Sequence, residues 1–388
     1  MTDPSLTPGV WDRIRAGRAP DPVAIDALSG GQVARLGRDG AAELGGGLRA
    51  RLLGAGALEE LLERPGVTDV VVNGDGAVWV DAGRGLERAP VDLGDGEARR
   101  RLAVRLAGQA GRRLDDASPY VDGLLPSGVR LHAILPPLAE GGVHLSLRVP
   151  ARGGLDLDDL VDLGTVPAAW RGPLRALVDR RVAFLVTGGT GAGKTTLLAA
   201  LLSCAGPRER LVLVEDVREL AVRHPHVVRL EARRPNVEGV GEVPLRTLVR
   251  QALRMRPDRL VVGEVRGAEI SELLAALNTG HDGGCGTVHA NTAADVVARV
   301  EALGALAGLP VPAVHAQLVS AVQVVLHLRR GSGAGVRRLE SVAVLERAPA
   351  PGGEPVVRDA LTWDGRECAT GPGWARLSAL IGPAGGLP

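Results

Sequence analysis

Residues Gly188-Gly189-Thr190-Gly191-Ala192-Gly193-Lys194-Thr195 have a composition that lets backbone N–H groups curl around a phosphate. They fit the spacing GxxxxGK[ST], and the apolar run Val182–Val186 stands directly before them. The spacing predicts a strand, a glycine loop and a helix whose positive end faces an anion. Lys194 would hold the β- and γ-phosphates of a nucleoside triphosphate, Thr195 would ligate Mg²⁺, and Thr196 would stand beside them. Among 45 arginines, Lys194 is the single lysine of the chain. Arginine is a broad planar fork and lysine a compact point charge on a thin stem, so a lysine kept here marks a place where only the second shape fits.

A second group of residues could act on such a phosphate. Leu260-Val261-Val262-Gly263-Glu264 is an apolar strand ending in a carboxylate, which places an acceptor for water or a metal shell beside the loop. Gly263 stands where an Asp is usual, so Glu264 or another carboxylate must do that work. Leu211–Val214 likewise ends in Glu215-Asp216, with Glu219 close behind. In a doubly wound sheet, ligands bind outside the carboxyl ends of the strands, so these acids are expected near Mg²⁺ or the attacking water. The alternative is a set of helix-start acids favoured by the dipole. Gly280–His289 carries His281 and His289 around a glycine-rich turn and a strand. His281, Cys285 and His289 match no zinc spacing, whereas His289 beside Glu264 could sense a γ-phosphate.

The elements needed to position these groups are legible. Leu58–Leu62 predicts a helix. Val70–Val72 and Val78–Val80 predict strands around Asn73-Gly74-Asp75-Gly76. Ala98–Arg112 predicts an amphipathic helix, and Val129–Leu135 and Val143–Val149 two more strands. From Val182 onward, short apolar runs alternate with helical patterns, which predicts a parallel sheet covered on both faces. The expected division is a short helical or partly disordered extension over 1–55, an α+β domain over 56–150, a linker over 151–165, an α/β ATPase domain over 166–348 and a Pro/Gly-rich tail over 349–388.

Composition narrows the partners. The 388 residues carry a formal net charge of +1 and 2% aromatics, which argues against a nucleic-acid partner gripped by a basic field or by stacking platforms. The three scattered cysteines, Cys204, Cys285 and Cys368, give no disulfide framework and fit a reducing cytoplasm. The first residues carry no signal-peptide pattern and no run of apolar residues is long enough to span a bilayer, so a membrane role would go through partners.

Taken together the motifs resemble the ATPases of the type II/type IV secretion superfamily, and most closely its TadA/CpaF branch, which powers Flp-type tight-adherence pili. The resemblance rests on the glycine loop, on Glu215-Asp216 with Glu219, and on Arg254-Met255-Arg256-Pro257-Asp258 through Gly263-Glu264-Val265-Arg266-Gly267. It continues through Asn278–Gly283 and Thr287–Asn291. Val72-Asn73-Gly74, Pro119–Asp122, Leu125–Arg130 and Leu147-Arg148 extend it to the first domain, so that it covers about residues 56 to 347. It implies a PAS-like N-terminal domain before a RecA-like P-loop domain. It further implies that Glu215, Asp216 and Glu219 form an Asp box, Gly263-Glu264 an atypical Walker B, and His281 and His289 a His box. Arg130 and Arg148 would reach the nucleotide across a domain cleft, and Arg254 and Arg256 would serve hydrolysis in a ring. ATP and Mg²⁺ are the expected ligands. A homohexamer and an inner-membrane platform protein are the expected partners. Three cysteines exclude the tetracysteine zinc element usual in type II exporters. A DNA- or protein-transfer ATPase of the VirB11 kind, a nucleic-acid translocase on a RecA-like core, and a nucleotide-binding regulator without turnover are the rival readings.

Overall fold

A computed structural model describes residues 54–382 except 84, 151–153, 234, 236–239, 281, 332–335 and 350–352, together with 37, 39 and 40. The expected extension over 1–55 thus lies almost wholly outside the described residues. The chain divides into two compact units, Met1–Pro150 and Ala151–Pro388.

In the first unit, a 3₁₀ turn (Gly56–Leu58) leads into α1 (Glu59–Glu63), β1 (Asp69–Val72), β2 (Val78–Asp81), β3 (Leu86–Ala89), α2 (Gly96–Gln109), β4 (Tyr120–Leu124), β5 (Arg130–Ile134) and β6 (His144–Arg148). The strands form one antiparallel sheet in the order β3-β2-β1-β6-β5-β4. The sheet buries one face only. Val70, Val72, Leu131, Ala133, Leu145 and Leu147 pack with Leu102, Ala103, Leu106 and Ala107 of α2, while His132, Ser146 and Arg148 between them are exposed. Period-two alternation in the strands and i, i+4 spacing in the helix write that core into the sequence. Each fully buried leucine stabilises it by roughly 1.5–3 kcal/mol. Asp95 caps α2, its carboxylate accepting from the Ala98 N–H at 2.8 Å.

The second unit opens with α3 (Leu157–Asp162), a 3₁₀ turn (Ala168–Trp170) and α4 (Arg171–Asp179). Then come β7 (Phe184–Gly188), α5 (Lys194–Ser203), β8 (Leu211–Glu215), β9 (Val227–Glu231), α6 (Leu245–Ala252), β10 (Arg259–Val265), α7 (Ile270–Leu277), β11 (Cys285–Val288), α8 (Val296–Leu306), α9 (Val311–Ala321) and β12 (Val324–Arg330). The unit closes with β13 (Arg337–Arg347), β14 (Pro355–Trp363), β15 (Cys368–Thr370) and α10 (Trp374–Ile381). Nine strands form one sheet in the order β15-β14-β13-β12-β7-β11-β10-β8-β9. The stretch from β12 to β9 is parallel and the last three strands extend it antiparallel.

The central strands β7, β8 and β11 are buried at every position because both faces of the sheet are covered. Phe184 and Val186 face a core shared with α3, α4, α5 and α10. Ala183 and Leu185 face a second core built from α6, α7, α8 and α9. This is the RecA-like α/β arrangement, and it puts the P-loop strand β7 at the middle of the sheet.

Two stretches are more ordered than their composition suggests. The segment read as a linker contains α3, whose Asp156 and Asp159 form a reciprocal capping box and whose Leu157 and Leu160 are buried. The segment read as a Pro/Gly-rich tail carries β14, β15 and α10. Ala360, Leu361, Leu377 and Ile381 of that segment lie in the first of the two cores. The glycines there serve close approach: a Cβ at Gly373 would stand 2.6 Å from the Arg358 carbonyl oxygen. Composition mimics a solvated tail where the chain needs room for packed backbone.

Candidate active site

The glycine loop joins β7 to α5. Gly188, Gly191 and Gly193 have φ of 145°, 70° and 95°, a region L side chains avoid. A side chain at Gly188 would also collide with the Leu328 carbonyl of β12. Gly193 is the N-cap of α5, so the unpaired N–H groups of the first helical turn follow it directly. Thr195 and Thr196 lie in that turn. Ala192 is buried among the apolar residues under the loop.

Lys194 is 7% exposed. Its Nζ donates to the carbonyls of Gly188 at 3.0 Å and Gly189 at 2.9 Å. The thin stem threads back under the loop and the ammonium is held by loop carbonyls. Burial draws its pKa below the usual value, against the pull of Glu264. Nζ also lies 3.5 Å from His289 Nε2, and that nitrogen is 2.7 Å from Glu264 Oε1. The ends of α5, β10 and β11 therefore meet at one chain of groups: Lys194, His289, Glu264.

Glu264 continues to Arg266, whose guanidinium stands 2.5 Å from its Oε2. Burial alone would raise the carboxyl pKa. The Arg266 hydrogen bond and the charges of Arg266, His289 and Lys194 outweigh it and hold Glu264 ionised. His289 is drawn below its ordinary value, first by burial and then by Lys194, with Glu264 opposing, so its ring is neutral at neutral pH. Arg266 has no role in the sequence reading beyond the motif that contains it; its pairing with Glu264 is a finding of the structure.

Glu215 ends β8, next to β10, and is 2% exposed. Its Oε1 accepts from the N–H groups of Glu219 at 2.9 Å and Leu220 at 2.8 Å. Among the described residues no donor reaches its buried Oε2. Burial raises its pKa, and the two N–H bonds only partly offset this. Its Cγ would stand 2.8 Å from a Cβ at residue 263, so Gly263 is the residue that admits Glu215. The buried Thr287 hydroxyl donates to the Gly263 carbonyl at 2.8 Å and ties β11 to this point.

An unpaired carboxylate oxygen at the end of β8 and a threonine hydroxyl in the first turn of α5 are donors that suit a hard cation that keeps most of its water, with β10 and β11 lying between their strands. Among the described residues, no group of three or more His, Cys, Asp or Glu forms a metal cage of its own. The oxygen donors Thr195 and Glu215 fit Mg²⁺ in kind, and they are the residues that would hold it with a bound nucleotide. The arrangement can cradle a polyphosphate, neutralise developing charge, and present Glu264 to a water molecule.

Other expected residues stand elsewhere. Arg254 lies in a short 3₁₀ turn (Leu253–Met255) and Arg256 has φ of 53°; both are exposed at the amino end of β10. The whole strand separates them from Glu264, roughly 20 Å at 3.3 Å per residue. Within one chain they do not meet the P-loop. Arg130 and Arg148 belong to the first unit, as cross-strand partners on the open face of its sheet. His281 lies outside the described residues.

The sequence reading also missed Arg330 and Arg337. These end β12 and begin β13, and Arg337 Nε donates to the Gly191 carbonyl at 2.9 Å. Two Arg-Arg pairs flanking Gly331–Gly335 were the available signal of a hairpin.

A family model described as type II/IV secretion system protein matches residues 51–348. A protein of Mycobacterium tuberculosis (strain H37Rv), provisionally named for conjugal transfer, is 59% identical over 307 residues, 78% of this chain and 87% of its own. The type IV secretion system protein PtlH of Bordetella pertussis is 32% identical over 325 residues, 76% of this chain and 95% of its own. Among solved structures, the Legionella pneumophila ATPase DotB aligns with a TM-score of 0.51 at 18% identity, covering 74% of this chain and 78% of that one, a likeness of fold alone.

Proposed function

Because this chain belongs to the type II/IV secretion system protein family, we propose that it is an ATP-hydrolysing motor subunit of a secretion or Flp-type pilus-assembly system, in the TadA/CpaF branch. The observation that carries the reading is the chain of contacts from Lys194 through His289 to Glu264, which joins a phosphate-holding group to a carboxylate able to handle water.

The loop N–H groups and Lys194 bind the β- and γ-phosphates. Thr195 and Glu215 would hold Mg²⁺, which when bound would supply charge neutralisation on the phosphate oxygens. Glu264 orients the attacking water and accepts its proton, while Glu219 shapes the same wall. His289, neutral and between Glu264 and Lys194, senses whether a γ-phosphate is present. Arg254 and Arg256 sit too far from their own P-loop to serve it. In this reading they serve a neighbouring subunit's site in a homohexamer. Arg130 and Arg148 of the first unit are the further nucleotide-binding arginines of this reading.

No helix among the described residues is long and apolar enough to cross a membrane. In this reading the motor acts from the cytoplasm on an inner-membrane platform protein, and domain movement on ATP binding and product release is its output. A second reading, a VirB11-like transfer ATPase, is favoured by the relative provisionally named for conjugal transfer.

The test is Mg²⁺-dependent phosphate release across size-exclusion fractions, with Glu264→Gln alongside. Activity in a hexamer-sized peak, absent from the variant, supports the motor. Nucleotide binding without assembly or turnover overturns it in favour of a regulator. Stimulation by single-stranded DNA favours the transfer reading.

A further inference from the structure

Arg330 and Arg337 are directly opposite each other across the β12–β13 hairpin. Like charges in that position repel. Their neighbours in the next register, Arg329 and Arg338, are both satisfied: Arg329 stands 3.0 Å from Glu340, and Arg338 donates to the Asp364 carbonyl at 2.5 Å. Among the described residues no carboxylate pairs with Arg330 or Arg337, and both are exposed. The six residues between them in the sequence, Gly331–Val336, contain no acid.

The uncompensated pair lies against the glycine loop. Arg337 Nε holds the Gly191 carbonyl at 2.9 Å, and its Cδ lies 3.4 Å from where a Cβ on Gly193 would be. Arg330 Nη1 lies 3.3 Å from the corresponding point on Gly191. Both arginine side chains thus approach the loop backbone at its glycines. β12 is hydrogen-bonded to β7 in parallel register, with Leu328 opposite Gly188, so the hairpin is fixed to the strand that carries the loop.

We propose that Arg330 and Arg337 form a polyphosphate clamp supplied by the same chain as the P-loop, a role that rests on the nucleotide reading of that loop. The mutual repulsion of the pair is relieved when the di- or triphosphate of a nucleotide lies between the loop and the hairpin. Each planar fork can then bind phosphate oxygens with paired N–H donors. The clamp adds to Lys194 two positive charges that need no neighbouring subunit, so it acts on a single copy of the chain as well as in a ring.

The experiment is equilibrium binding of fluorescent ADP and AMP to the full-length chain, with Arg330→Gln, Arg337→Gln and the double variant. We expect the double variant to bind ADP at least about tenfold more weakly, the scale of a lost charge-assisted contact, and to lose much less affinity for AMP. Among the described residues the Arg330 side chain makes no hydrogen bond to the loop, so its share of the loss does not come from a damaged loop. The melting temperature of the nucleotide-free double variant should not fall, because a repulsive pair has been removed. ADP affinity in the double variant within twofold of wild type overturns the clamp. A loss confined to Arg337→Gln overturns it too, leaving Arg337 as a loop support. If the wild-type chain itself fails to hold ADP, the nucleotide reading falls and takes the clamp with it.

Discussion

The carboxylate of Glu215 occupies the space that a side chain at residue 263 would need. A Cβ there would stand 2.8 Å from Glu215 Cγ and 3.3 Å from its Oε1. The missing acid of the second strand motif and the buried acid at the end of β8 are one arrangement, in which the neighbouring strand gives up its side chain to make room.

Gly263→Ala should therefore damage both fold and chemistry. Overpacking of this kind costs about 1–3 kcal/mol, and Glu215 would be pushed off the N–H groups of Glu219 and Leu220. Thermal melting and phosphate release measure the two effects. An alanine variant with wild-type melting and activity would show that Glu215 moves freely.

Glu215 itself should cost stability. Its pKa is raised in the fold, so the folded protein holds the proton more tightly than the unfolded chain, and stability falls as pH rises above the ordinary 4.5. Glu215→Gln keeps a carbonyl for the two N–H groups and removes the charge. The variant should melt higher than wild type at pH 8, with the gain shrinking toward pH 4.5, and should hydrolyse ATP far more slowly. A variant less stable at pH 8 would mean that the carboxylate is better compensated than its unpaired oxygen implies.

His289 runs the other way. Burial and Lys194 depress its pKa below 6.5, so the unfolded chain takes up the proton first. The contribution to stability is full above about pH 6.5 and is lost as pH falls through the window below it. Comparing the melting of wild type and His289→Asn from pH 7.5 to 5.5 should show the wild type losing more. Hydrolysis by the variant should fall by roughly tenfold or more, the scale of one lost polar contact of about 1.4 kcal/mol to Glu264 or the γ-phosphate. Parallel melting curves would show that the ring does not titrate against Lys194.

Leu377 of α10 is fully buried. Leu377→Ala should destabilise the second unit by about 2–5 kcal/mol, read in a denaturant melt. An effect under 0.5 kcal/mol would mean that the C-terminal helix is dispensable to the core.

The sheet's central strands and the P-loop were legible because each signal is local. An apolar run on both faces and a fixed glycine spacing need no knowledge of what packs against them. Lys194, Glu215 and Glu264 follow from strand ends alone. The β12–β13 hairpin, α9 and the elements after residue 353 were not; in the last of these Gly371 and Gly373 admit the backbone of Asp359 and Arg358, a packing role that composition does not reveal. Composition reports those residues without their partners. The closeness of Arg266 to Glu264 and of Arg337 to Gly191 was hidden for a simpler reason. In a chain with 45 arginines, residue type carries almost no information, and only position distinguishes a site from a solvated surface.

The solitary lysine gives this protein a built-in chemical probe. Amine-directed reagents such as activated esters find one side-chain target in the chain, apart from its own amino terminus, and that target is Lys194. Its depressed pKa favours the reactive free amine, and its 7% exposure makes access depend on what fills the loop. Labelling read by intact mass therefore reports directly on occupancy of the P-loop. The same chemistry that would scatter over a lysine-rich surface becomes here a single-site footprint.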